Sequence, residues 1–333
     1  MRGFVPHSRQ SDKRGLGFWH ESLVLGNDPL VDRLLDWAGS PTVNLLQEYN
    51  ERFAVVNVEG RFRIADLDVS PGEPPLFLQK DDFLNLRATD YMTFDDKPVQ
   101  KAKLWLSSPR RRFYKTVEFM PGVDDAIEYL NLWTGWAITP QPAACCDGWL
   151  QLLRQVVCGD DGVLYDWMLH WFANILREPR SKPLTAPVLI GRQGAGKSLL
   201  FNYFGRILGP GYTTITNDEH IYGKFNRHLA TTLLLHSEEA LYGGEKRHRG
   251  IIKSLITDEF RIFESKGIDA RQVHNYLRLA LTSNESHAAP AEANDRRFTV
   301  IDMNDRVVND ELKRKVLAEL RNDGPAGLFS CLL

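Results

Sequence analysis

The residues with the most definite chemistry form one short run, Gly191-Arg192-Gln193-Gly194-Ala195-Gly196-Lys197-Ser198. The apolar residues Pro187-Val188-Leu189-Ile190 feed directly into it, and LLFNYFGRIL after it returns to helical spacing. Strand, loop and helix in that order give the pattern G-x-x-x-x-G-K-S a mechanical sense. Glycines let successive backbone N–H groups curl around phosphate oxygens, and the helix N-terminus adds a favourable dipole. Lys197 can then reach the β- and γ-phosphates, and Ser198 can ligate magnesium. Gly191, Gln193, Gly194, Ala195, Gly196, Lys197, Ser198 and Leu199 are therefore the expected nucleotide-binding residues, with ATP and Mg2+ as cofactors. A Gly-rich turn that binds nothing is the bland alternative, and the match in its strand-and-helix context argues against it.

Three downstream runs supply what a phosphate loop lacks. TTLLLHSEEA, Thr231 to Ala240, reads as a buried strand that ends in two carboxylates. Acids at the carboxyl edge of a parallel strand beside a phosphate loop can hold magnesium and polarise an attacking water. Glu238 is assigned to magnesium, mostly through water, and Glu239 to water activation. LRLALTSN, Leu277 to Asn284, is a second buried strand, and Asn284 at its tip can hydrogen-bond the water or the γ-phosphate. Asp295-Arg296-Arg297-Phe298 then offers two arginines, either of which could neutralise transition-state charge on a neighbour's nucleotide. Between these runs, Lys253-Ser254-Leu255-Ile256 looks like a helix end, Phe260 to Phe263 like a strand, and Ser265-Lys266-Gly267 like a hairpin tip. Lys266 at such a tip is suited to touching phosphates, and Lys253 is a second candidate DNA contact.

The elements that must carry these groups are spread over 333 residues, enough for one large or two medium domains. The chain is 43% hydrophobic and 25% charged with a net charge of −2, so any nucleic-acid contact must come from a local patch. No apolar run is long enough to cross a bilayer and no signal pattern follows Met1, so the expectation is a protein of the cytoplasm, with no membrane partner. Four cysteines do not make a disulfide framework, and Cys145, Cys158 and His170 lack zinc-site spacing.

Upstream, residues 1 to about 20 read as a polar, basic arm, with a short helix expected from Asp28 to Trp37 and another around Asn44 to Tyr49. RFAVVNVEGRFRIA, Arg52 to Ala65, has two β-rich runs around Glu59-Gly60, the signature of a hairpin. Lys101 to Lys115 interleaves six basic residues with Leu104, Trp105, Phe113 and Tyr114. That pattern serves either a nucleic-acid grip or a solvated basic face with its aromatics turned inward, and the second reading is favoured. YLNLWTGWAITP reads as a buried strand or compact loop, and Trp149–Val157 and Leu164–Leu176 have helical spacing.

Taken in order, GRQGAGKS, LLLHSEEA, KSLITDEFRIFESKG, LTSN and DRRF resemble the superfamily 3 helicases of viruses, phages and plasmids, a branch of the AAA+ ATPases. The YNERFAVVNVEGRFRIAD hairpin, EYLNLWTGWAITP and YDWMLHWFANILREP further resemble the helicase part of phage and prophage primase-helicase (primase-polymerase) proteins. The resemblance covers about residues 45 to 305. It implies that Lys197 and Ser198 belong to the nucleotide loop, Glu238 and Glu239 to the Walker B pair, and Asn284 to the sensor. It further implies that Lys266 tips a DNA-contacting hairpin and that Arg296 is the arginine finger, with Arg297 the near alternative. The acid pair here reads HSEE, without an aspartate. Such proteins form rings, usually hexamers, with single-stranded DNA in the channel. A primase catalytic domain, where the family has one, precedes this region, and residues 1 to 45 are too few for it. The expectation is a helicase-only protein or a fragment of a longer one.

The fold class expected is α/β, an AAA+-type P-loop NTPase with a central parallel sheet flanked by helices, preceded by a smaller α+β region. The expected division is an arm and short helices at 1–44, an accessory region with a hairpin at 45–145, a helical collar at 146–183, the ATPase core at 184–310, and a C-terminal helix and tail at 311–333. The expected function is an ATP-dependent DNA helicase or translocase of phage or prophage replication in a bacterial host. Its partners would be single-stranded or forked DNA, copies of itself in a ring, and a primase/polymerase region or other replication proteins. The rival readings are a P-loop ATPase that remodels or loads DNA, or serves defence, without unwinding, and a nucleotide-gated DNA-binding module.

Overall fold

The structure is a computed structural model that describes residues 41–94, 97–123, 128–217, 221, 227–238, 246–265, 268–284 and 295–333. The expected arm and the 28–37 helix lie outside the described residues, as do Glu239 and Lys266. The chain forms two compact units, the smaller comprising residues up to Val56, Phe62–Asp68 and Leu76–Phe113, and the larger the remainder.

The smaller unit is built mainly from α1 (Pro41–Arg52), β1 (Phe53–Val58), β2 (Arg61–Asp66), β3 (Leu76–Leu78), α2 (Lys80–Leu86), β4 (Tyr91–Phe94), β5 (Lys97–Gln100), α3 (Lys101–Ser107) and the start of β6 (Phe113–Tyr114). Its main sheet has the order β3-β2-β1-β6. The expected hairpin is present: Glu59 and Gly60 join β1 to β2 with φ of 53° and 78°, the paired positive values that a tight two-residue link of matching twist requires. The core is aromatic. Tyr49, Phe53, Phe83 and Trp105 are all essentially fully buried, with ring centroids from 5.0 to 6.5 Å apart. Within the basic run, α3 therefore turns Ala102 and Trp105 inward, three residues apart on one helical face, as the inward-packing reading expects.

The larger unit carries β7 (Val117–Glu118), β8 (Leu130–Asn131), α4 (Asp147–Gln151), α5 (Gly162–Arg177), β9 (Ala186–Ile190), α6 (Lys197–Leu208), β10 (Tyr212–Ile215), β11 (Leu234–Glu238), α7 (Lys246–Thr257), β12 (Phe260–Ser265), β13 (Ile268–His274), β14 (Arg278–Ser283), β15 (Phe298–Asp302), α8 (Asp310–Arg321) and α9 (Gly324–Leu332). The Trp-rich segment is mostly compact loop, with Trp133 and Trp136 rings 4.6 Å apart. α4 runs on into a π-helical turn, Leu152–Val157.

Five strands form a parallel sheet in the order β10-β11-β14-β9-β15. β9 and β14 are buried along their whole length, as expected of strands covered on both faces. Alternation sorts their side chains. Leu189, Leu234, Ala280 and Ile301 join a core with α4, α5, α6, α8 and α9, whereas Val188, Ile190, Leu235, Leu279 and Leu281 join a second core with α7. Phe172, Phe201 and Phe204 in the first core are fully buried, and each such side chain contributes on the order of 2–3 kcal/mol. β12 and β13 form a separate antiparallel pair, from Phe260 opposite His274 to Ser265 opposite Ile268.

Candidate nucleotide site

β9 ends at Ile190 and α6 begins at Lys197, so the six residues between form the predicted loop. Gly194 and Gly196 have φ of 79° and 92°, a region in which a side chain is strained, and a Cβ on Gly196 would press Leu152 Cδ1 at 3.1 Å. Gly196 caps α6 without any side-chain hydrogen bond, so the first N–H groups of the helix are left for a ligand, as in anion-binding loops. The loop is clamped from behind. Arg192 N–H donates to Asp305 Oδ2 at 2.7 Å, Arg192 Nη2 donates to Asp305 O at 2.8 Å, and Met303 N–H donates to Ile190 O at 2.9 Å.

Lys197 is 8% exposed. Its ammonium donates to the Gly191 carbonyl, to Arg192 O at 3.0 Å and to Asn284 Oδ1 at 2.7 Å. Asn284 follows β14, and β14 lies beside β9, so the sheet brings together two residues 87 positions apart. Glu238 ends β11 opposite Thr282 of β14. Gln193 to Leu199, Glu238, Thr282 and Asn284 line one cavity of about 450 Å3, and Lys313 and Leu317 of α8 complete it. Ser198 and Glu238, the predicted magnesium residues, thus face the same space. Among the described residues no cluster of three or more His, Cys, Asp or Glu could hold a metal alone. A magnesium ion carried mainly by phosphates and water, with one hydroxyl and one carboxylate, fits this donor set.

Lys313 was not singled out by the sequence. Its Nζ lies 3.8 Å from where a Gly194 Cβ would stand. The run NDELKRKVLAEL does announce a helix, with Asn309 Oδ1 accepting from Leu312 N–H at 2.8 Å, yet nothing in it says which lysine meets the loop. His236 was likewise read only as part of HSEE. It is fully buried in the middle of β11, and burial pushes its pKa down to about 3, so the imidazole is neutral. Tyr212 OH donates to Asn202 Oδ1 at 2.8 Å, which leaves its oxygen to accept from His236 Nδ1 at 3.1 Å, while Nε2 accepts from Thr282 Oγ1 at 3.0 Å. A neutral imidazole thereby braces β10, β11 and β14 directly behind Glu238.

The arginines lie elsewhere. β15 is parallel to β9 with Phe298 opposite Ala186, so Arg296 and Arg297 precede the amino edge of the sheet, whereas the loop follows the carboxyl edge. Four strand steps separate the two edges, about 13 Å. Neither arginine lines the cavity. Arg297 Nη1 pairs with Asp295 Oδ1 at 3.1 Å, and Lys253 Nζ pairs with the other carboxylate oxygen at 2.9 Å. Lys253 therefore has a carboxylate partner inside the unit. Arg296 is exposed.

Residues 189–297 match the profile of a family of unknown function (DUF5906). Over 139 residues, 41% of this chain, it is 27% identical to the DNA primase-polymerase of Nitratiruptor phage NrS-1, and that match spans 19% of the relative's length. The fold is similar to the apo structure of the NrS-1 C-terminal region (305–718), with a TM-score of 0.66 and 18% identity over 87% of this chain and 69% of that one. A second apo form of the same region gives a TM-score of 0.65 over 87% and 68%. The chain is thus a mixed α/β protein with a parallel sheet, like that C-terminal region. Among the described residues no helix is long and apolar enough to cross a membrane.

Proposed function

We propose that this chain is the ATP-hydrolysing motor of a phage-type DNA-replication protein, an AAA+-like helicase or translocase of superfamily 3 type that works as a ring. The observation that carries the reading is the meeting of Lys197, Asn284 and Glu238 at one cavity beneath an uncapped helix N-terminus. β14 lies between the loop strand and the acid strand, which sets Glu238 about 10 Å to the side of β9, room for a γ-phosphate and a water between them. ATP would take its phosphates from the N–H groups of the loop and from Lys197. Ser198 and Glu238 would hold magnesium, which would supply positive charge beside the phosphates. Glu239 would orient the water and Asn284 would report the γ-phosphate by exchanging its bond to Lys197 for one to the ligand.

Arg296 stands at the wrong edge to serve its own site and is exposed, which supports a role at a neighbour's site in a ring. Arg297 and Lys253 are committed to Asp295, so Arg296 is the preferred finger. In this reading the ATPase core occupies 184–310 and is served by the collar at 146–183 and the helix beginning near 311. Lys266 would touch the DNA backbone.

Mixing two inactive variants tests both the site and the ring. Lys197→Ala and Arg296→Ala should each hydrolyse ATP at least about 100-fold slower than wild type. Their mixture should recover up to roughly a quarter of wild-type turnover, because random assembly makes that share of interfaces whole. No recovery, or normal turnover by Lys197→Ala, would end the proposal. Strand displacement on forked DNA then separates unwinding from remodelling or loading.

A further inference from the structure

We propose that the smaller unit carries a second nucleic-acid site, an arginine-flanked phenylalanine platform that stacks bases of a single strand. Phe62 of β2 and Phe113 of β6 are 64% and 48% exposed, yet their rings sit together, 6.2 Å apart at 45°. Two strands apart in the order β2-β1-β6, they form an exposed ring pair across the sheet surface. Exposing two phenylalanines side by side costs burial that an inward position would have gained, about 2–3 kcal/mol for each. The nearby Trp105 shows that the fold buries aromatics where it can.

Charge chooses the occupant. The run from Lys101 to Lys115 holds Lys101, Lys103, Arg110, Arg111, Arg112 and Lys115 and no acid, so three arginines lead directly into Phe113. Arg63 follows Phe62 on the same strand and donates to its carbonyl at 3.0 Å. Arg111 donates to the carbonyls of Leu106 and Ser108 at 2.9 and 3.1 Å. Among the described residues neither Arg63 nor Arg111 forms an ion pair. Asp66 at the end of β2 and Asp68 beyond it pair with Arg52 at 2.9 and 3.2 Å. Cations beside exposed rings are the combination that tracks a phosphate backbone and accepts any base face.

The platform is preset. Asn50 Oδ1 accepts from Arg112 N–H at 2.6 Å and from Trp105 Nε1 at 2.9 Å, and its Nδ2 donates to Arg110 O at 3.0 Å. Val55 N–H donates to Arg112 O at 2.9 Å. One half-buried amide and one strand thus fix the arginine run that leads to Phe113, so little ordering is required when a strand arrives.

The test uses the full chain carrying Lys266→Ala, which silences the proposed pore contact, and reads anisotropy of labelled oligo(dT) without nucleotide. Phe62→Ala/Phe113→Ala should bind at least tenfold more weakly at a wild-type unfolding midpoint, and Phe62→Trp/Phe113→Trp should stay within threefold of the parent. Arg63→Gln/Arg111→Gln should flatten the salt dependence by about 0.7 per contact in log–log slope. Unchanged oligo(dT) affinity in the double alanine variant would overturn the proposal, and so would an equal loss for blunt duplex. Unchanged affinity with loss of self-association in sedimentation would overturn it too, by assigning the patch to contact between copies.

Discussion

The two edges of the parallel sheet each bury a cation, and they use it in opposite ways. At the carboxyl edge Lys197 faces a cavity and shares its ammonium among two loop carbonyls and the movable side chain of Asn284. At the amino edge Arg278, 2% exposed, donates to the carbonyls of Pro179, Tyr276, Glu178 and Ser181, all at 2.7 to 2.8 Å. Burial pushes the pKa of Arg278 down to about 9, still above neutrality, so it remains charged. Its four short partners are backbone carbonyls that cannot turn away, with the Asn174 Oδ1 a longer contact at 3.4 Å, and they tie the segment before β9 to the first residue of β14. Burial of a charge therefore does not mark a site. The partners do: where one of them can turn toward a ligand and a cavity adjoins, the cation is poised for chemistry.

That contrast is open to attack at both edges. The largest effect is expected for Arg296→Ala, whose turnover in assembled rings should fall about 1000-fold while ATP binding, read by a fluorescent analogue, stays near wild type. A loss confined to binding would place Arg296 elsewhere. Arg278→Met leaves several strut carbonyls unpaired and should cost about 4 kcal/mol in denaturant unfolding. A cost below about 1 kcal/mol would break the distinction between strut and site.

The brace behind Glu238 sharpens the comparison through pH. The pKa of His236 is lowered on folding, so its contribution is fully present above the unfolded value near 6.5 and is lost as pH falls toward about 3. Over that window the unfolded chain takes up a proton that the folded one refuses. Wild type should therefore lose stability faster than His236→Gln by up to about 1.4 kcal/mol per pH unit, measured as the difference between unfolding curves. Parallel pH dependence in the two proteins would mean that the imidazole is hydrated. The smallest effect belongs to Arg297→Ala, which removes one partner of Asp295 and should cost about 1 kcal/mol or less of stability, without the turnover loss of Arg296→Ala.

Much of this was legible in the chain. GRQGAGKS needs only neighbours to declare itself, because loop, glycine conformations and helix start are local properties. The hairpin at Glu59-Gly60 was equally plain, since turn chemistry is local. The basic run was ambiguous for a physical reason: Trp105 sits on the inward face of a short helix and Phe113 on an outward strand position, and composition cannot tell the two apart.

By itself, then, the sequence determined the loop, the buried strands and the order of candidate groups, since backbone conformation and apolar runs depend on residues close along the chain. Only tertiary structure decided that Asn284 bonds Lys197, that α8 sends Lys313 to the cavity, that His236 is a neutral brace and that Arg296 stands at the far edge. Those facts follow from strand order and parallel register, which place side chains tens of residues apart within a few ångströms or hold them a whole strand length away.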